Sequence, residues 1–182
     1  LKELFISDKS SNAKYVWGNI ILNKNNSIQS IGCKINRYFM TTKHNFNNHD
    51  HSNKNILTNS LDYIHGCSIF FKKDIIKTVG LFNENYFLFY EDVDFCFSAK
   101  LNNISLNICD KSKVIHIENS TIEKMNYQYL STFNRVKFAK KYFKNRLPYV
   151  YLGIIYEIFK NFILLRFNRN YLLIKHFLYE VN

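Results

Sequence analysis

Apolar and polar positions alternate along the chain in blocks that predict its elements directly. YVWGNIIL (15–22) is a dense apolar run and reads as a buried strand. NKNN (23–26) is a turn, and SIQSIGCKI (27–35) alternates well enough to be the returning strand. YIHGCSIFF (63–71) reads as a second buried strand. KKDIIKTVG (72–80) follows as a short helix closed by Gly80 at its C′ position. EDVDFCFSAKLNN (91–103) predicts a helix with acids in its first turn and Lys100 in its last, an arrangement that complements the helix dipole. ISLNICD (104–110) and KVIHI (113–117) read as strands. From about Thr121 the pattern is helical to the end, and Pro148 suits an N1 position. TTKHNFNNHDHSNKNILTNS (41–60) is polar and Asn-rich. It reads as a long loop of the kind that serves as a lid or binding segment, and its HDH (49–51) as solvated loop rather than a metal site.

Composition narrows the class. The 182 residues are 47% hydrophobic and 17% aromatic, which fits one folded domain with a sizeable core and excludes a disordered chain. Five glycines and one proline leave little room for flexible linkers. The net charge of +11 is uneven. From Thr121 onward eleven Lys/Arg face three Asp/Glu, against fourteen and eleven before it. A basic C-terminal third suits nucleic acid, anionic lipid or a phosphate-bearing substrate. Cys33, Cys67, Cys96 and Cys109 are widely spaced without a CxxC, which argues for reduced thiols and a cytosolic protein, not a disulfide framework or zinc knuckle. No segment has the roughly 18 uninterrupted apolar residues of a membrane span. The chain starts at Leu1 without a signal-peptide pattern and reads as a piece of a longer protein.

The chemistry concentrates at GLFNENYFLFYEDVDFCFSAK (80–100), where Glu91, Asp92 and Asp94 directly follow a run of aromatics. Carboxylates are costly to bury without partners. Acids at a helix start are explained by the dipole alone. A literal DxD reading of DVD is weaker still, because residues i and i+2 on a helix point in different directions.

Read as one unit, residues 63–120 resemble the inverting family 2 glycosyltransferases, particularly the bacterial rhamnosyltransferase-like branch, with its GxFDExFFxYxEDxDxxxR run and later V-x-H element. Gly66, Gly80, Phe82, Glu84, Phe87, Tyr90, Glu91, Asp92, Asp94 and His116 carry the match. GNIILNKNNSIQSIGCKI resembles the family's hairpin before the acceptor region, and FNRVKFAKKYF (133–143) one of its helices, so the resemblance covers most of residues 15 to 145. Asn83 stands where the family usually has Asp, Ser98 where it has Arg, and His65 where a small hydroxyl residue precedes the glycine.

The resemblance implies an α/β fold, the C-terminal portion of a GT-A domain over residues 1–146, followed by amphipathic helices over 147–182. It also implies that the nucleotide-binding half, with its metal-carrying DxD, lies outside this chain. The implied reaction moves a sugar from a nucleotide-sugar donor to a hydroxyl of a glycan or lipid-linked acceptor, with inversion. That hydroxyl must lose its proton as the bond forms, so a carboxylate within hydrogen-bond reach is needed as general base. The resemblance gives this role to Asp92, with Glu91 binding an acceptor hydroxyl or orienting the base, and Asp94 structural. Tyr90, with the aromatics before it, would wall the site, and His65, Gly66 and Cys67 would form its acceptor side. A lone strand-end histidine is ordinarily structural. The resemblance implies that His116 joins the DxD in holding a divalent metal, Mg²⁺ or Mn²⁺.

The segment from Pro148 onward pairs a wide apolar face with Lys160, Arg166, Arg169 and Lys175. It suits a peripheral helix on an anionic membrane, at the inner face of the cell membrane, and equally suits packing on the domain or on a second subunit. Two rivals remain: an inactive, truncated transferase serving as an interaction domain, and a basic nucleic-acid-binding module. The second lacks any RNP-like, zinc-finger or helix-turn-helix signature, and no nucleic-acid partner is expected.

Overall fold

The structure, a computed structural model, describes residues 1–11, 13–44, 61–117, 124–167, 170–171 and 173–174. It is a mixed α/β chain that divides into two compact units. The first contains 1–35, 42–87 and 91–118; the second contains 36–41, 88–90 and 119–182.

The first unit is built on β1 (Tyr15–Leu22). β2 (Ile28–Ser30) pairs with it antiparallel at Ile21 and Leu22, and β5 (Ile69–Phe71) antiparallel at Val16 to Gly18. β6 (Ser105–Ile115) runs parallel along its whole length. Seven of the eight β1 residues are buried, which is why the strand reads as a continuous apolar run rather than an alternating one. Gly18 lies where β1 is most tightly covered. A Cβ there would stand 2.6 Å from Ile64 Cγ2 and 2.9 Å from Ile108 Cδ1. Gly18→Ala is therefore expected to cost about 1–3 kcal/mol through overpacking. Urea denaturation measures this, and an unchanged midpoint would contradict the packing.

Three expectations are corrected. Residues 27–35 do not form one strand. The chain turns at Gly32 (φ 76°), so β2 stays on the main sheet while β3 (Cys33–Ile35) pairs with β4 (Thr42–His44) in a second sheet. Of 63–71 only the last three residues are strand. Tyr63 makes an isolated bridge to Cys33, and the chain turns where Ser68 N–H donates to the His65 carbonyl at 3.2 Å. Within 104–117 the chain forms one strand, β6, instead of two: opposite β1, Cys109 faces Asn19 and Lys113 faces Ile20, so the polar stretch 110–112 is taken up as a bulge. The first residues of the polar loop are β4, while the rest, including HDH (49–51), lies outside the described residues.

Helices α1 (Lys2–Lys9), α2 (Lys73–Val79) and α3 (Glu91–Leu101) complete this unit. α1 has no counterpart in the sequence reading. Its buried Asp8 accepts from the Trp17 indole at 3.3 Å and pairs with Lys72 at 3.0 Å. Gly80 closes α2 with φ 88°. The far end of α3 is tied down by Lys100, which donates to the Leu61 carbonyl at 2.6 Å beside buried Asp62.

The second unit holds α4 (Lys124–Tyr142), a 3-10 turn (Lys144–Arg146) and α5 (Leu147–Ile163), which begins at Leu147; Pro148 is its second residue rather than its first, still in the turn where a missing N–H goes unused. Val136, Phe138 and Ala139 of α4 and Val150 and Ile154 of α5 are buried. Buried Arg135 donates to Glu157 at 2.9 Å. Phe39 sits over Gly153, where an added Cβ would come within 3.0 Å of its ring. α5 is thus turned with Glu157 and buried Asn161 toward its own unit.

Candidate functional site

The first turn of α3 and the turn at 65–67 build one site within the first unit. Asp92 is buried, and both its carboxylate oxygens are engaged by backbone. Oδ2 accepts the Gly66 N–H at 2.7 Å, and Oδ1 accepts the Val93 N–H at 2.8 Å. Gly66 itself is exposed, and a Cβ there would lie 3.3 Å from both Cβ and Oδ2 of Asp92. A glycine therefore lets this backbone N–H approach the carboxylate without crowding it.

Burial pushes the Asp92 carboxyl up to about 7, and the neighbouring charge of Glu91 adds to the rise. The N–H groups of Gly66 and Val93 pull the other way. A carboxylate has about four acceptor positions, and these two bonds use half of them. Asp92 can thus take a proton near neutral pH from a group that reaches it.

Glu91 is half-buried, and its carboxyl is raised by burial. Its Oε2 is enclosed and has no hydrogen-bond partner among the described residues. An enclosed carboxylate oxygen without a donor is costly, so this position calls for one from outside. Asp94, by contrast, is buried and accepts from the Tyr86 phenol at 3.5 Å.

His65 stands between two other imidazoles, with ring centres 4.9 Å from His44 and 5.5 Å from His116. Burial first, then repulsion from a proton taken up by His44 or His116 beside it, hold its pKa down at about 4, so it is neutral at pH 7. Its Nδ1 accepts the Cys67 N–H at 3.2 Å, which places the proton on Nε2 and makes that edge a donor. Cys67 is exposed, but desolvation and the Asp92 charge push its thiol up to about 11; it is no thiolate nucleophile at neutral pH.

His116 follows β6, its N–H bonded to the Leu22 carbonyl at 2.9 Å. Its Nδ1 lies 3.1 Å from Gln29 Oε1. A carboxamide oxygen can only accept, so Nδ1 carries the proton and Nε2 keeps its lone pair. That is how a metal-binding histidine is oriented, and it fits a single ligand to a divalent cation. Among the described residues no group of three or more His, Cys, Asp and Glu is placed to hold a metal ion.

The structure thus brings together Asp92, Glu91, Gly66, Cys67, His65 and His116 in the first unit. Tyr90 belongs to the second unit. It is buried, and its phenol donates to the Met40 carbonyl at 2.5 Å. Phe87 is 86% exposed and open as a packing face. Sequence reasoning missed His44 and Gln29. His44 sits in a polar stretch with no motif, and Gln29 looks like an ordinary outward position of an alternating strand.

Over 101 residues, 52% of the chain, the sequence is 27% identical to the low-salt glycan biosynthesis hexosyltransferase Agl10 of Haloferax volcanii. The match covers 33% of that protein, so the chain spans about a third of the length of this curated relative. No protein-family model matches the chain.

Proposed function

We propose that the chain is the acceptor-side, C-terminal part of a glycosyltransferase of the GT-A type, in the inverting family 2 and its rhamnosyltransferase-like branch. The observation that carries this reading is Asp92: a buried carboxylate poised at about 7, held in place by a glycine N–H and still able to accept a proton. The similarity to a hexosyltransferase supports the glycosyltransferase part of this reading.

The acceptor is a glycan or lipid-linked hydroxyl, and the donor a nucleotide-sugar. The hydroxyl oxygen attacks the anomeric carbon from the face opposite the leaving group. The new C–O bond forms, the bond to the diphosphate breaks, and its electron pair leaves with the nucleoside diphosphate. The hydroxyl proton passes to Asp92, and attack from the opposite face inverts the configuration. The enclosed Oε2 of Glu91 receives a second acceptor hydroxyl, and His65 Nε2–H donates to an acceptor oxygen. Gly66 and Cys67 line this side, and Tyr90 holds the preceding segment. His116 Nε2 is the group that would hold Mg²⁺ or Mn²⁺, which when bound neutralises charge on the diphosphate. The reaction belongs on the cytoplasmic side of a membrane.

The test is turnover by the complete parent enzyme against a panel of nucleotide-sugars, read as nucleoside diphosphate released in the presence of acceptor. Release that depends on acceptor and is lost in Asp92→Asn supports the reading. Absence of donor binding and turnover across the panel overturns it.

A further inference from the structure

α5 buries Val150 and Ile154, yet it also turns two polar residues inward and leaves a long apolar stripe in the open. Its polar members Glu157 and Asn161 face its own unit, where Glu157 pairs with Arg135 and Asn161 is buried. Its outward stripe is Leu152, Ile155, Tyr156, Phe159 and Ile163, spaced i, i+3, i+4, i+7 and i+11. Leu152, Tyr156, Phe159 and Ile163 are each 59–64% exposed, and Phe162 and Leu165 extend the patch. An apolar stripe of this length is not left in water without a partner.

We propose that this face docks on an anionic membrane surface, with α5 lying in the plane of the headgroups. Charge decides between a membrane and a second copy of the chain. Lys160 borders the stripe, and Lys144 and Arg166 flank its two ends, all exposed. The one carboxylate in α5, Glu157, is already paired with Arg135. Two such faces brought together would set Lys160 and Arg166 against like charges with no free acid to answer them. An anionic lipid surface answers all three. Tyr149 and Tyr156 add phenols, which favour the boundary between headgroup and acyl chain. No helix among the described residues is long and apolar enough to cross a membrane, so an in-plane arrangement is the one available to α5. Arg169 and Lys175, also basic in the sequence reading, lie outside the described residues.

The test is sedimentation of the full chain with vesicles of phosphatidylcholine containing phosphatidylglycerol, or of phosphatidylcholine alone. Binding is expected with the anionic vesicles at low salt, weaker at high salt and weaker again on the neutral ones. Lys160→Gln and Arg166→Gln should each weaken it about fivefold, as expected for one basic group at an anionic surface. Tyr156→Gln with Phe159→Gln should abolish it while leaving the circular dichroism spectrum unchanged, since both side chains point outward. Sedimentation velocity without vesicles reports the rival occupant. A stable dimer that Phe159→Gln dissociates would assign the face to a second copy and overturn the membrane proposal. Vesicle binding indifferent to all four substitutions would overturn it too. None of these measurements requires the transferase reaction.

Discussion

Asp92→Asn in the complete parent enzyme is expected to lower turnover by about a hundredfold or more while leaving donor affinity close to wild type, as removal of a general base does. The amide keeps the size and shape of the carboxyl but cannot take up the acceptor proton. Because burial and the Glu91 charge raise Asp92 to about 7, the wild-type rate should rise with pH through that value, where the base loses its proton. The same shift has a consequence for folding. A carboxyl raised in the folded state holds its proton at pH values where the unfolded chain has lost it. Between the ordinary aspartate range and pH 7 the folded state therefore binds more protons, and stability falls as pH rises. Below that window the effect vanishes, and above it the loss is complete. Urea midpoints of wild type and Asp92→Asn should diverge across this window and run parallel outside it. Wild-type turnover in the variant would remove Asp92 from the chemistry. Parallel midpoints throughout would show that its carboxyl is not raised.

Much of the first unit was legible because its strongest patterns are local. β1 is apolar at nearly every position, Asn19 apart, because it is buried on both faces, and α3 declares itself by acids at its start and a lysine in its last turn. The misread stretches share one cause: a long-range demand overrides a local pattern. The apolar run at 63–71 looks like a strand, yet the Gly66 N–H turns to Asp92, 26 residues away in sequence. The alternation from 27 to 35 continues through Gly32, but the positive φ of that glycine redirects the chain to a different sheet. The polar stretch at 110–112 resembles a break until β6 is seen to run parallel along all of β1, which carries it past the bulge. In the site, carboxylates beside a glycine turn could be read as a motif. The three neighbouring imidazoles could not, because His44, His65 and His116 come from three distant segments. The sequence shows a broad apolar face on α5, but it does not show that this face points outward. That follows from Arg135, which draws Glu157 inward.

Asn134→Ala is expected to destabilise the protein by about 2–3 kcal/mol, and a glycine at position 89 should recover part of that loss. Phe89 and Tyr90 both have left-handed backbones, φ 67° and 73°, which cost non-glycine residues roughly 1–2 kcal/mol each. Two contacts within the second unit hold them there. Asn134, only 1% exposed on α4, donates its side-chain amide to the Leu88 carbonyl at 2.7 Å and to the Phe89 carbonyl at 2.8 Å. The Tyr90 phenol donates to the Met40 carbonyl, and its ring packs on Phe138 at 5.9 Å. Removing the amide deletes two hydrogen bonds, each worth about 1 kcal/mol net. It also withdraws the support that offsets the strain. Glycine adopts positive φ without that strain, so in a Phe89→Gly background the turn depends less on Asn134. A double-mutant cycle by urea denaturation should therefore show Asn134→Ala costing about 1 kcal/mol less beside Gly than beside Phe. This coupling is well above the few tenths of a kcal/mol within which independent sites add. If the two substitutions simply add, Asn134 does not offset the strain of this turn, and its burial against α4 packing must be explained in some other way.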